Sequence, residues 1–150
     1  MKTPLTKSDC VIQILQTATV IWRESRRFFR PFGLTEAQFN ILNLLGQSPN
    51  GLCQRELSDR LVVDRSNITL LLDRMTAHGL LVRNDVPGDR RRYRVCLTEK
   101  GLSLWRRIHP HYEKALAHLV ENLAAEDTKQ LLKNLQEMEL QAKTWKEELS

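Results

Sequence analysis

Across Gly79 the apolar period of the chain changes from that of a helix to that of a strand, and this change restricts the fold more than any other feature. Before it, Ile68, Leu71, Leu72 and Met75 recur at i, i+3, i+4 and i+7, one face of an α-helix that begins at Arg65 with Asp64 as its cap. Gly79 is the residue type that ends such a helix. Beyond it, Leu80 to Asn84 and Arg92 to Leu97 are short β-compatible runs, the second alternating through Tyr93, Val95 and Leu97. Pro87-Gly88 between them suits the central positions of a type II turn. A short helix from about Cys53 to Leu61 and the turn Val62-Val63-Asp64 come just before. Two short helices joined by a tight turn and followed by a hairpin predict a winged helix-turn-helix.

The charge gathers at the same place. The 150-residue chain has a net charge of +5, and Arg83 to Arg107 alone, with eight basic residues against three acids, equals that excess. Arg90, Arg91, Arg92 and Arg94 sit just past the Pro-Gly turn. Glu126 to Glu148, by contrast, holds six acids against four bases. A localised positive patch is the footprint of a polyanion-binding surface, whereas a diffuse surplus aids only solubility. The helix from Arg65 would enter a major groove, presenting Ser66, Asn67, Thr69, Leu70, Asp73 and Arg74 away from its apolar face. Arg65 suits guanine or phosphate, Asn67 suits adenine, Ser66 and Thr69 carry adaptable hydroxyls, and Leu70 suits a thymine methyl or is a lone exposed leucine.

The remaining segments are helical, in the order α-α-α-α-β-β-α-α. Ser8 and Asp9 are N-cap candidates for a long first helix with apolar residues at Val11, Ile14, Leu15, Ala18, Ile21, Trp22, Phe28 and Phe29. Ile12 and Val20 widen its apolar surface beyond one stripe, so both flanks need burial; a subunit interface or a monomer core would provide it. A second helix starts at the capping-box residue Thr35 and reaches Gly46, and "QSPNG" is a loop. A long helix runs from Thr98 to about Leu123 with a bend expected at Pro110, and a last one opens at Ala125 and carries Leu131, Leu132, Leu135, Met138 and Trp145.

The stretch "LSDRLVVDRSNITLLLDRMTAHGLLVRNDVPGDRRRYRVCLTEKG" resembles the core of the MarR family of bacterial winged helix-turn-helix transcription regulators. The family's wing pattern falls on Asp89, Arg91, Val95, Leu97, Thr98 and Gly101, and the likeness extends to Asp73-Arg74 and Gly79-Leu80. It implies a mainly α fold with a small β-hairpin wing, one domain over 1–150. Residues 35–100 would form the DNA-binding part, and 8–30 and 101–148 the dimerisation helices. It also implies a homodimer on a pseudo-palindromic double-stranded DNA operator, with Arg91 in the minor groove and Asp89 holding its guanidinium. A narrow minor groove attracts an inserted Arg, and a neighbouring carboxylate fixes its planar fork. Arg90, Arg92 and Arg94 would contact phosphates, which position rather than specify. The family often responds to small aromatic or phenolic effectors in a cleft, for which Trp22, Phe28, Phe29, Phe32, Phe39 and Trp105 are available, although aromatic residues at helical spacing are more often core. Leu70 departs from the polar or basic residue of many relatives, so an operator sequence does not carry over.

Other readings remain. One branch of the family senses hydroperoxides through a cysteine near the start of the first helix, and Cys10 stands there, but the assisting tyrosines have no counterpart in Tyr93 and Tyr112. A non-specific architectural DNA binder would use the same basic hairpin. His109, His111 and His118 lack the i, i+4 spacing of a metal pair, and no P-loop, GxSxG, HExxH or dinucleotide fingerprint is present, so neither metal, cofactor nor catalysis is expected. Three widely spaced cysteines and an apolar run, Val11 to Trp22, too short to cross a bilayer point to a cytoplasmic protein without a membrane segment.

Overall fold

A computed structural model describes residues 6–61, 68–86 and 89–144, and of residues 89–92 the backbone alone. Its elements are α1 (Lys7–Phe29), a 3-10 turn (Arg30–Phe32), α2 (Glu36–Gly46), α3 (Gln54–Arg60), α4 (Ile68–Ala77), β1 (Leu81–Val86), β2 (Asp89–Leu97), α5 (Glu99–Leu119) and α6 (Ala125–Thr144). The chain divides into two compact units, Met1–Arg107 and Ile108–Ser150.

In the first unit the core is built by α2, α3, α4 and the hairpin. Phe39, Ile41, Leu42, Leu57, Leu72, Met75 and Val95 are fully buried, with Leu45, Leu52, Ile68, Leu80 and Leu81 nearly so. Burying each such side chain contributes about 1.5–3 kcal/mol, so these few residues dominate the cohesion of the unit. Phe29 stacks on Phe39 with ring centroids 4.6 Å apart, which places both in this core rather than in a cleft. The hairpin is antiparallel and pairs Leu81 with Leu97 and Arg83 with Val95. The loop after α2 adds an isolated bridge, Leu52 to Val95, with N···O distances of 3.0 and 2.8 Å. "QSPNG" gives no hint of this bridge, because one residue pair leaves no alternation to read.

The cap of α1 is Thr6, not Ser8 or Asp9. Asp9 occupies the third helical position of a reciprocal capping box: its amide donates to Thr6 Oγ1 (3.2 Å) and its carboxylate accepts from Thr6 N–H (2.8 Å). The Thr6 N–H, together with the Thr6 hydroxyl donating to the same carboxylate (2.7 Å), holds the Asp9 carboxyl below the usual carboxylate range. Thr35 and Gln38 form the same arrangement at the start of α2, as the sequence predicts. Of the residues of α1 only Phe29 is buried, and Val11, Ile12, Leu15, Val20 and Ile21 are exposed, Leu15 at 63%.

At the other end of α4, Leu80 N–H donates to Met75 O (3.0 Å) and Gly79 N–H to Thr76 O (2.8 Å), with Gly79 at φ +70°. This is a Schellman motif, and the buried pair Leu80 and Met75 is its apolar contact. Next, α5 begins at Thr98, whose Oγ1 accepts from Gly101 N–H (3.0 Å) while donating to Gly79 O (2.6 Å). A Cβ on Gly101 would run into the Leu80 carbonyl oxygen.

In the second unit, α5 ends at Leu119 rather than Leu123, and α6 carries surface ion pairs such as Lys143–Glu139 (2.7 Å). Helix α5 runs through Pro110 without interruption, and Trp145 lies outside the described residues. No residue of α6 is buried, and Leu116, Leu119, Leu123, Leu131, Leu132 and Leu140 are exposed.

Substituting Gly79 with Ala forces a side chain into the left-handed region and should cost about 1–2 kcal/mol. Gly101→Ala should cost about 1–3 kcal/mol, since the obstacle is backbone and cannot swing away. Urea unfolding at one fixed protein concentration measures both.

Candidate nucleic-acid interface

Helix α4 divides as its period predicts. Ile68, Leu72 and Met75 are buried and Leu71 half-buried, while Thr69, Leu70, Asp73 and Arg74 are exposed, Leu70 at 48%. The residues expected to lead this surface, Arg65, Ser66 and Asn67 with their cap Asp64, lie outside the described residues, as do Pro87 and Gly88.

The hairpin ladder has one irregularity, and it falls on the arginines. Asp85 pairs with Tyr93, but the next residue, Val86, pairs with Asp89. Arg90, Arg91 and Arg92 therefore form an excursion on the β2 side without partners across the ladder. Extra residues on one strand bend it and increase its twist. The side chains of Asp89, Arg90, Arg91 and Arg92 lie outside the described residues; their backbone puts all four at the distal end of the hairpin.

Two other arginines have partners within the fold. Arg94, expected on the phosphate side, donates from Nε to Asn50 O (2.8 Å) and from Nη2 to Gly51 O (2.7 Å), with Glu56 Oε2 at 3.6 Å. It holds the α2–α3 loop against β2. Glu56 in turn accepts from Cys53 N–H (2.7 Å) at the start of α3. That backbone hydrogen bond, helped by the nearby Arg94 and Arg60 charges, keeps the Glu56 carboxyl below its ordinary value. Arg83 on β1 forms an ion pair with Asp73 on α4, and its guanidinium lies over the Tyr93 ring, 5.1 Å from the centroid. The Asp73 hydrogen bond raises the Arg83 pKa further, so this charge is permanent.

A third tie crosses between α4 and the wing. Gln54, the first residue of α3, donates from Nε2 to Thr69 Oγ1 (2.6 Å), and its Oε1 accepts from the Tyr93 hydroxyl (2.7 Å). Nothing in the sequence marks Gln54, since a lone glutamine at a helix start carries no period and no charge.

A family model described as the MarR family matches residues 32–92. The homoprotocatechuate degradative operon repressor of Escherichia coli is 32% identical over 114 residues, 73% of this chain and 76% of that protein. The crystal structure of AbsC, a MarR family transcriptional regulator from Streptomyces coelicolor, covers 95% of this chain and 99% of its own with a TM-score of 0.80 at 26% identity. The structure of an S. aureus MepR–DNA complex has the same fold, with a TM-score of 0.76 at 22% identity over 89% of this chain and 96% of that one. The chain belongs to the MarR family.

As a MarR-family member it is a DNA-binding transcriptional regulator and not an enzyme. Among its described residues, no helix is long and apolar enough to cross a membrane. Cys10 is exposed in the first turn of α1, while Tyr93 lies on the wing and Tyr112 on α5.

The Glu56 carboxylate gives a pH test of this architecture. Its folded pKa is lowered, so its contribution to stability is fully present above the ordinary glutamate value of 4.5 and is lost as pH falls through the lower folded value. The stability difference between wild type and Glu56→Gln should therefore be constant near neutrality and shrink on acidification below that value, read by thermal unfolding across pH. A difference that grows with acid would contradict the arrangement.

Proposed function

We propose that this MarR-family chain is a sequence-specific repressor that binds a pseudo-palindromic operator as a homodimer and releases it on binding a small aromatic or phenolic compound. The observation that carries the DNA reading is the proximity of two surfaces: the exposed polar face of α4, and a hairpin whose only ladder excursion is Arg90–Arg92. In this reading Arg65, Ser66, Asn67, Thr69, Leu70 and Arg74 face the major groove. Arg91, aligned by Asp89, enters the adjacent minor groove, and Arg90 and Arg92 meet phosphates. Arg94 serves the interface from behind, by fixing the loop under β2.

The homodimer is supported by apolar surface that the single chain leaves uncovered: the exposed row of α1 in the first unit, and the leucines of α5 and α6 in the second. Rows of exposed apolar side chains on a helix suit an interaction site. Residues 8–30 and 101–148 are accordingly read as the dimerisation helices. The effector class is supported by the relative whose name is that of a repressor of a homoprotocatechuate degradative operon. The half-buried Trp22, Phe28, Phe32 and Trp105 are the aromatic side chains of the first unit available to such a ligand.

Selection of duplexes from a random-sequence library followed by footprinting tests the specific reading: a short protected palindrome supports it, and uniform salt-sensitive coverage supports an architectural protein. On the selected duplex Arg91→Ala should weaken binding by about 1–3 kcal/mol. An unchanged titration curve removes Arg91 from the groove. Sedimentation should give a dimer, and Leu15→Glu together with Leu132→Glu should shift it to monomer; a wild-type monomer at all concentrations refutes the dimer.

A further inference from the structure

Residues 78–80 are the covalent link from α4 to the hairpin, and a two-stranded ribbon is marginal on its own. Its arginines sit at the far end of a lever. From Leu81 to Val86 the strand extends roughly 17 Å at about 3.3 Å per residue, so an angular error of roughly 6° would move the tip by about 2 Å. A site that must hold its groups within about 0.5 Å needs the lever braced near its end.

The bracing is visible. Tyr93 is the last residue of β2 still in the regular ladder before the excursion, opposite Asp85. Its hydroxyl donates to Gln54 Oε1 at 2.7 Å, and Gln54 Nε2 donates to Thr69 Oγ1 at 2.6 Å, on the exposed face of α4. The ring of Tyr93 lies under the Arg83 guanidinium, which is paired with Asp73 on the same helix. The contacts close a circuit: Thr69, Gln54, Tyr93, Arg83, Asp73 and back along α4.

We propose that Gln54 is a positioning residue for operator recognition, a latch whose amide fixes the distance between the groove-reading face of α4 and the arginine tip of the wing. The inference rests on the sequence-specific reading above. A two-pronged amide suits the task, because one planar group satisfies a hydroxyl on each of the two elements. Losing the latch frees the wing without removing a charge, so electrostatic attraction to any DNA is retained while the simultaneous fit of helix and wing is lost.

The test uses the full-length protein with Gln54→Met, Tyr93→Phe and the double variant. Each is titrated with the tightest duplex that the wild type selects from a random library and with a shuffled duplex of equal length. Each single change should weaken the selected duplex about tenfold, the scale of one hydrogen bond. Affinity for the shuffled duplex and the salt slope should be unchanged, and the double variant should be no worse than either single. Equal weakening on both duplexes, additive losses in the double variant, or undiminished discrimination would each overturn the latch alone. Selection of no sequence by the wild type would overturn the sequence-specific reading and the latch with it. Tyr93→Phe deletes one oxygen atom, so it keeps the test decisive should Gln54→Met fold poorly.

Discussion

Three successive carbonyls, those of His78, Gly79 and Leu80, join α4, the wing and α5. Lys100 Nζ donates to the first (2.8 Å), Thr98 Oγ1 to the second (2.6 Å) and Thr98 N–H to the third (3.1 Å). These carbonyls follow the last turn of α4, and the start of α5 supplies donors for all three. Gly101 lacks the side chain that would block the approach, and Gly79 provides the left-handed turn that exposes the carbonyls. Because one short segment fixes the exit of α4 and the entry of α5, the hairpin between them leaves the body at a defined angle.

That geometry separates arginines that look equivalent in a charge count. Of the eight basic residues between Arg83 and Arg107, Arg83 pairs with Asp73, Arg94 holds two loop carbonyls, Lys100 holds His78 O, and Arg107 lies 5.8 Å from the Phe32 ring centroid. Half of the basic residues of this patch are thus engaged within the fold. Its long-range field still draws a polyanion, since an ion pair or a carbonyl contact does not abolish the field of a permanent guanidinium. In the proposed reading, short-range recognition falls to the ladder excursion Arg90–Arg92 and to the outward face of α4.

The fold was legible wherever a period or a stop signal was strong. The α4 face, the Thr35 cap and the Gly79 stop follow from local rules, because each depends on residues within one or two turns of each other. The start of α1 was misread since Ser8 and Asp9 are both good caps in isolation, and only the reciprocal bonding of Thr6 with Asp9 decides between them. The Leu52–Val95 bridge, the Arg94 bonds to Asn50 O and Gly51 O, and the Gln54 tie were not legible. Each joins residues some forty positions apart, Leu52 to Val95 and Gln54 to Tyr93 among them, and a single sequence contains no signal for a hydrogen bond between distant residues of ordinary type.

The two units place opposite demands on the chain. The first unit, which carries the proposed interface, buries its own core through Phe39, Leu42, Leu57, Leu72 and Met75, whereas α6 buries nothing. A helix with Leu131, Leu132, Leu135 and Leu140 all exposed draws little stability from its own chain, because surface ion pairs such as Lys143–Glu139 contribute at most about 1 kcal/mol each. In the proposed homodimer a second copy would bury these leucines, and folding and assembly would then be linked by mass action. In that proposed dimer a two-fold axis would relate the two copies, and with them the two half-sites of the proposed operator.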